Sequence, residues 1–589
     1  MSDFLYSSRP MKKGLLAAHL QKIYLNGTVD AVEYHGSWGS LAVTQSTYNG
    51  FDPVETDRHI CVVIGGPVLR FTDNAFLAGT DRQAGTRAIL KRWRDGPVNW
   101  SEDLSGPFVA LLVDKITKNI TCITDLMLFI PVYSHVSADK TTIGTHVDAL
   151  ARAVSQETLF DAVSLADFVL HHVITYPYTA YENVRQFQPA TAHCIDPING
   201  VFEALQPYWR PEERTPFRKL NDAATALRNG VTGDIARITG PMDHVAHFIS
   251  GGEDSRALAG MLPRNIKRDA IVFLDRMNRE GRVARKAAAA YGAEFRASYR
   301  DPLHYLDILP EAATLVGAGH QCIHAHALGL DETRRLAAYP AVFGGYLADT
   351  LLKAVYARQP KVSRQGWIPQ VMLPGEARTA GVRSPFFPDD VLAELTLRRR
   401  DHLDRILEFR PVTAHEWFET WPMTMRVAVP NLYSNRRLFP SYEPFMSHDA
   451  VKVSAAAPTQ WKMNHRLFHR AFRPYLRRSR FVRHADGRFP YYPWWVNAPI
   501  RFGTLLGGKI GEAIRPPRVH QGPWNDWGKV QSSPAWEAAI RRASVDAVAV
   551  PVLQTAIARN ALADERLDVY RKVNLLQLSH HVRKNLHKR

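Results

Sequence analysis

Long apolar runs are missing from this chain: no uncharged stretch reaches the ~18 residues that a membrane-crossing helix needs. Cysteine is scarce. Cys61, Cys122, Cys194 and Cys322 are the four in the chain. Their wide spacing excludes a disulfide framework and suits a reducing compartment. No internal repeat and no low-complexity tract is present. The N-terminal MSDFLYSSRPMKKGLLAAHL breaks its apolar residues with Asp3, Arg9, Lys12 and Lys13, so a signal peptide is not expected. Together these absences point to a soluble, cytoplasmic protein.

What is there is ordinary globular material. The 589 residues are 46% hydrophobic and 22% charged, which excludes a disordered, collagenous or coiled-coil chain and allows two large domains or three to four smaller ones. An excess of 74 basic over 57 acidic residues gives a net charge of +17 and favours an anionic partner: a nucleotide, a nucleic acid or a membrane surface.

Residues 1–205 read as β-rich. HICVVIGGPVLRF, GPFVALLVD and NITCITDLMLFIPVYS are short Val/Ile/Phe/Thr runs punctuated by Gly, Pro, Asp and Asn, and TAHCIDPINGVFEAL reads as a hairpin around an Asn-Gly turn. Beyond the proline- and charge-rich Pro207–Phe217, strands alternate with helices, which implies βαβ units and a mostly parallel sheet over residues 215–485. Residues 486–589, rich in Trp, Pro and Gly near their start, read as an extension packed on the second domain.

The segment HVAHFISGGEDSRALAGML carries the most chemistry. A buried strand, Val245 to Ile249, leads into a Gly-rich turn and then a helix. Gly251 and Gly252 let backbone amides approach an anion, Ser250 and Ser255 add hydroxyl donors, and the new helix points free amides at it. Asp254 repels bare phosphate, so its presence implies a bridging Mg²⁺. Asp269–Leu274 reads as the next strand. A helix through REGRVARKAAAAYGAEF stops at Gly292, and a further strand starts at Glu294. In AVFGGYLADTLLKAVYA a strand ends at Gly344-Gly345 and Asp349 opens a helix. Asp254 and Asp349, about 95 residues apart, would meet at the carboxyl ends of parallel strands, where open α/β sheets bind ligands.

The string SGGxDS with the GGYLAD segment resembles the nucleotide motifs of the asparagine synthetase and β-lactam synthetase superfamily of ATP pyrophosphatases. That resemblance implies a doubly wound, adenine-nucleotide-binding (PP-loop) domain. It further implies a reaction that uses ATP and Mg²⁺, in which a carboxylate is adenylated with release of pyrophosphate and an amine then attacks. In that reading Ser250, Gly251, Gly252, Asp254, Ser255, Gly344 and Gly345 bind nucleotide, Phe248 and Phe273 wall the adenine, and Asp254 and Asp349 hold Mg²⁺. Tyr346 stands where asparagine synthetases carry a glutamate. It resembles the tyrosine of β-lactam and carbapenam synthetases that helps deprotonate the substrate amine, a role requiring a lowered pKa or a proton relay; a packing tyrosine is the other reading. In NHRLFHRAFRPYL, His465 falls where the family has a lysine that stabilises negative charge, with Lys462 and Arg466 as substitutes.

LSGPFVALLVD, ITDLMLFIPVY and GTHVDAL resemble segments of the superfamily's Ntn-type (αββα) glutaminase domain, the last as a later strand. The family's nucleophilic cysteine is replaced by Ser2 and its arginine by Thr124, so glutamine hydrolysis is expected to be lost. That loss, with Tyr346, points to intramolecular amide formation: a β-lactam, a carbapenam or the macrolactam of a lasso peptide. The chain is most similar to lasso peptide macrolactam synthetases, over residues 35–475. That implies a precursor peptide as substrate, with a leader-binding protein and a leader peptidase as partners. Another amide ligation, or an inactive scaffold relative, are the alternatives.

Three further features suggest other chemistry. Gly503–Lys509 fits GxxxxGK, but Ile510 follows in place of Ser or Thr. His320, Cys322, His324 and His326 hint at zinc, with a polar helix lining the substrate pocket as the favoured reading. Tyr491, Tyr492, Trp494, Trp495, Trp524 and Trp527 sit among basic residues, as in single-strand nucleic-acid binders, although such extensions more often pack on a domain.

Overall fold

The structure, a computed structural model, describes residues 3–586 apart from 25–28, 139, 197–200, 361–362, 364–367, 374, 376–377, 486 and 515–524. Among the described residues the N-terminal part builds two six-stranded antiparallel sheets. One runs Arg185–Gln186, Tyr133–Val136, Thr141–Gly144, Phe4–Ser7, Gly39–Thr44, Ala31–Gly36. The other runs Val201–Ala204, Ala192–Asp196, Ile120–Thr124, Phe108–Asp114, His59–Gly65, Val54–Glu55. Alternation explains the packing. Phe4, Tyr6, Leu41 and Val43 point inward against Ile60, Val62, Val109 and Leu111, forming the core between the sheets. Leu5 and Ala42 point outward beneath the helices that contain Leu16, Leu150 and Leu165. Cys61, Val63, Ala110 and Leu112, on the outer face of the second sheet, join one core with Ile89 and with Leu227 and Val231 of the next domain. Covered on both faces, the central strands His59–Gly65 and Phe108–Asp114 read as continuous apolar runs, whereas the edge strand Ala31–Gly36 stays partly exposed. GTHVDAL is not a strand: Gly144 ends one, and Val147–Ala153 is a helix that His146 caps. The expected Asn199-Gly200 turn lies outside the described residues.

The second part holds a five-stranded parallel sheet in the spatial order Glu294–Tyr299, Lys267–Leu274, His244–Phe248, Val342–Phe343, Ser441–Tyr442. His244–Phe248, the helix Glu253–Met261, Lys267–Leu274, the helix Arg279–Tyr291 and Glu294–Tyr299 run in succession as a βαβαβ unit. The second helix closes at Gly292, whose φ of 70° a side chain would resist. Ala270, Val272 and Leu274 pack on Ala284, Ala287 and Tyr291. Ala246, Ile271 and Val342 face Leu336 and Phe439 on the opposite side. From His244–Phe248 the chain builds outward to one edge and then returns to add Val342–Phe343 on the other side. Ala246 pairs with Val342 and His247 with Phe343, so the order reverses between these two neighbours. Loops leaving such a pair diverge and open a crevice.

The C-terminal helix Val569–Leu586, expected against the second domain, meets both parts. Asn574 donates to the Phe168 carbonyl at 2.8 Å and Gln577 to the His320 carbonyl at 2.7 Å. Gly503–Lys509 lies inside the helix Trp494–Ile514 rather than in a strand-to-helix loop. No helix among the described residues is long and apolar enough to cross a membrane.

Candidate active site

Two loops leave the carboxyl ends of the strands His244–Phe248 and Val342–Phe343 and touch. A Cβ on Gly345 would sit 3.3 Å from the Ser255 amide nitrogen, and one on Gly344 would overlap the Glu443 carboxylate. Close approach thus demands glycine at 344 and leaves only tight room for a side chain at 345. Inside the first loop, the Ser250 and Ser255 hydroxyls lie 2.9 Å apart and the Ser250 amide donates to Ser255 Oγ at 3.0 Å. The two amides expected to face an anion are engaged locally. Gly251 N–H donates to Glu280 Oε1 at 2.5 Å and Gly252 N–H to Ser250 Oγ at 3.1 Å. A glutamate carboxylate therefore sits where the loop would accept a phosphate oxygen.

The helix Ala348–Leu352 brings Asp349 to Asp254, and the next residue, Lys353, decides the electrostatics. Its ammonium, 3% exposed, lies 2.5 Å from Asp254, 2.7 Å from Asp349 and 2.8 Å from Glu253. Burial pushes the Asp254 carboxyl well above its ordinary range, and the neighbouring Asp349 and Glu253 add to this against the pull of Lys353. Lys353 holds Asp349 below its ordinary value. Glu253 is depressed despite burial, through Lys353 and His465. Lys353 is raised by the three acids, which outweigh its own burial. Three carboxyl groups thus share one ammonium. Asp254 and Asp349 converge on a single point, and this oxygen donor set fits a divalent cation of the Mg²⁺ type.

His465 and His469 close the same cavity, of about 350 Å³, together with Asn464, His484 and Arg488. His465 Nδ1 contacts Glu253 Oε1, and His469 Nε2 lies 3.0 Å from Glu253 Oε2. Neither substitute for the family lysine reaches this cavity. Lys462 is fully buried and paired with Glu416, and Arg466 is exposed. Tyr492 and Trp494 also line it, whereas Trp524 lies outside the described residues.

On the other side of the touching loops a second cavity, of about 250 Å³, is lined by Phe248, Phe273, Gly344, Gly345, Tyr346, Arg300 and Glu443. The rings of Phe248 and Phe273 are 5.6 Å apart and half-buried. The Tyr346 hydroxyl is buried with no hydrogen-bond partner among the described residues. Burial pushes that phenol upward, the reverse of what a phenolate base requires. Glu443, which accepts the Tyr346 N–H at 2.9 Å, is pushed up to about 8 by burial. Sequence reasoning missed Glu253, Lys353, Glu443 and His469. Only Lys353 left a trace, one helical turn after Asp349.

The histidine cluster does not form the expected helix. Cys322–His324 is a single 3₁₀ turn, His320 bonds the Tyr133 hydroxyl at 2.8 Å and His326 bonds the Tyr305 hydroxyl at 2.8 Å. In the first domain Ser2 lies outside the described residues. Asp3 beside it is fully buried, and Arg436 and Arg437 pair with it at 3.0 and 2.8 Å. Thr124, at the family arginine's place, donates to the Gln188 carbonyl at 2.6 Å. Asp125 accepts the amides of Met127 and Phe129 at 3.0 Å each, and burial raises it to about 7.

Residues 40–209 match the glutamine amidotransferase domain family, under a third of the chain. The N-terminal domain is therefore of the glutamine amidotransferase type. No curated protein matches the sequence. Among solved structures the chain is similar to the allosteric regulatory enzyme of purine biosynthesis (9% identity over 50% of this chain and 80% of that one, TM-score 0.23). It is also similar to the glutamine phosphoribosylpyrophosphate amidotransferase from B. subtilis complexed with ADP and GMP (10% identity, 50% and 81%, TM-score 0.25). Likeness at these scores adds nothing to the reading of the second domain.

Proposed function

We propose that this chain is an amide synthetase that uses ATP and Mg²⁺, activates a carboxylate as its adenylate and joins it to an amine without hydrolysing glutamine. The observation that carries the reading is the meeting of the 250–255 turn and Asp349 at the switch point of a parallel sheet. Phe248 and Phe273 would hold the adenine in one cavity. The phosphates would cross the touching glycines into the other, exchanging with Glu280 for the Gly251 amide. Asp254 and Asp349 would hold Mg²⁺, which lowers the negative charge of the phosphates. Lys353, His465 and His469 lie beside the same cavity. Tyr346, with its raised pKa, suits a proton relay rather than a base.

The amidotransferase-type domain supports an asparagine-synthetase-like amide former. Within that class we favour closure of the isopeptide macrolactam of a lasso peptide in the cytoplasm, on a precursor peptide delivered with the help of a leader-binding protein and a leader peptidase. Holding amine and activated acyl group together supplies up to ~7–11 kcal/mol of the barrier. A second reading, an inactive scaffold, is favoured by one observation: Lys353 already occupies the point where the two acids converge. Pyrophosphate release with ATP, Mg²⁺ and a candidate precursor peptide separates the two. Peptide-dependent release that Asp349→Asn abolishes supports the synthetase. Release that persists in Asp349→Asn refutes the Mg²⁺ assignment, and none from the unaltered chain favours the scaffold.

A further inference from the structure

Three side chains on the wall of the 350 Å³ cavity form a donor set of a different kind from Asp254 and Asp349. His465 and His469 lie one helical turn apart at the start of the helix Arg466–Leu476. Glu253 opens the facing helix Glu253–Met261. The two imidazole nitrogens and a Glu253 oxygen lie within 4.8 Å of one another. Among the described residues this is the one group of three such ligands that converges. Two nitrogens and one oxygen suit a first-row transition metal, whereas Mg²⁺ prefers oxygen throughout. Three protein ligands with a fourth position open to a cavity is the arrangement of a reactive rather than a structural zinc site.

The surroundings already orient these ligands. Asn464 and His465 both adopt left-handed backbone, with φ of 54° and 58°. Gln370 holds that turn: the Asn464 amide donates to Gln370 Oε1 at 2.7 Å, and the Gln370 amide donates back to Asn464 Oδ1 at 2.8 Å. The turn aims His465 at Glu253. Lys353 donates to Glu253 Oε1 at 2.8 Å, the kind of outer hydrogen bond that a ligating carboxylate takes. Bonds of about 2.0–2.1 Å at tetrahedral angles set ligand atoms roughly 3.3 Å apart, so a metal would open the 3.0 Å His469–Glu253 contact by about 0.3 Å and would replace the direct His465–Glu253 contact.

We propose that Glu253, His465 and His469 bind a first-row divalent transition metal, zinc foremost, separately from the Mg²⁺ held by Asp254 and Asp349. The site does not depend on the proposed reaction. Resting on that reading, its consequence is a fixed positive charge where the related synthetases carry a lysine.

The test uses the full chain stripped of metal and titrated with Co²⁺, read by its visible absorption. The expected result is one equivalent bound in a low-symmetry nitrogen-and-oxygen environment, displaced by Zn²⁺ and retained in excess Mg²⁺. Glu253→Gln and His469→Gln should each weaken binding by at least the ~10–100-fold that losing even an outer partner costs, while Asp349→Asn should retain it. Should either ligand variant fail to fold, electron paramagnetic resonance of Cu²⁺ on the unaltered chain should show coupling to two imidazole nitrogens. Absence of Co²⁺ binding, displacement by Mg²⁺, binding indifferent to His469→Gln, or a Cu²⁺ signal without two nitrogens would each overturn the site. Pyrophosphate release by metal-stripped protein resupplied with Mg²⁺ is measured separately, so that failure of the site and failure of the synthetase reading remain distinct.

Discussion

Replacing Lys353 with methionine takes the central ammonium out of a cluster of three acids. Glu253 and Asp254 are 11% and 19% exposed at the side chain, so each loses a nearly buried partner. Asp349, 62% exposed, is screened by water and is left out of the sum. Removing one partner of a buried ion pair costs about 3–5 kcal/mol. Glu253 keeps His465 and His469, which holds the expected value near the lower end, about 3 kcal/mol. For a domain of this size that lowers the melting temperature by roughly 6–12 °C in the presence of a chelator. Mg²⁺ should reverse much of the loss, because the variant leaves the point between Asp254 and Asp349 to the cation. Saturation at ~100 times the dissociation constant returns about 2.7 kcal/mol. The unaltered chain should respond less, since the cation must first displace the lysine. Differential scanning calorimetry with and without Mg²⁺ measures all four states. A variant that melts with the unaltered chain under chelation, or one that Mg²⁺ does not rescue, refutes the idea that Lys353 sits at a cation's place.

Asp3→Asn should cost about 3–5 kcal/mol in denaturant unfolding, because Arg436 and Arg437 lose their shared carboxylate. Burial pushes Asp3 up, but the two arginines more than reverse this and hold it below the usual range. Its stabilisation is therefore complete above the unfolded pKa of ~3.9 and lost as pH falls below it, so the gap between variant and parent should narrow in acid. Tyr346→Phe removes an unpaired buried hydroxyl and should raise stability by about 1 kcal/mol. If the phenol relays a proton, pyrophosphate release should persist while amide product falls; unchanged product leaves it a packing residue. Glu280→Gln should lower the KM for ATP, because a neutral amide competes less well than a carboxylate for the Gly251 N–H. An unchanged KM would show that the loop accepts phosphate elsewhere.

The parts of the site that could be read in advance are local. Ser250–Ser255 carries its own instruction: two glycines, two hydroxyls and a helix start within six residues. Gly292 ends its helix through backbone conformation alone. Lys353 was hidden because a lysine one turn beyond an aspartate normally reads as an exposed pair, and only the sheet order places Asp254 and Glu253 around it. GTHVDAL, expected as a strand from its resemblance to a family segment, is a strand only at Gly144, because His146 caps a helix there through a side-chain bond.

By itself, the sequence determined the two patterns of hydrophobic residues, the Gly-rich loop and the absence of long apolar spans, since each depends on neighbours within a few residues. Only the tertiary structure decided which charges share a cavity. Glu253 meets His469 across 216 positions, and Asp3 meets Arg437 across 434. No periodicity encodes such pairs. They exist because elements distant in the chain pack on one another: the helix Arg466–Leu476 lies on Glu253–Met261, and the helix Pro430–Leu438 brings its arginines to the start of the strand Phe4–Ser7, where burial makes each charge find a partner.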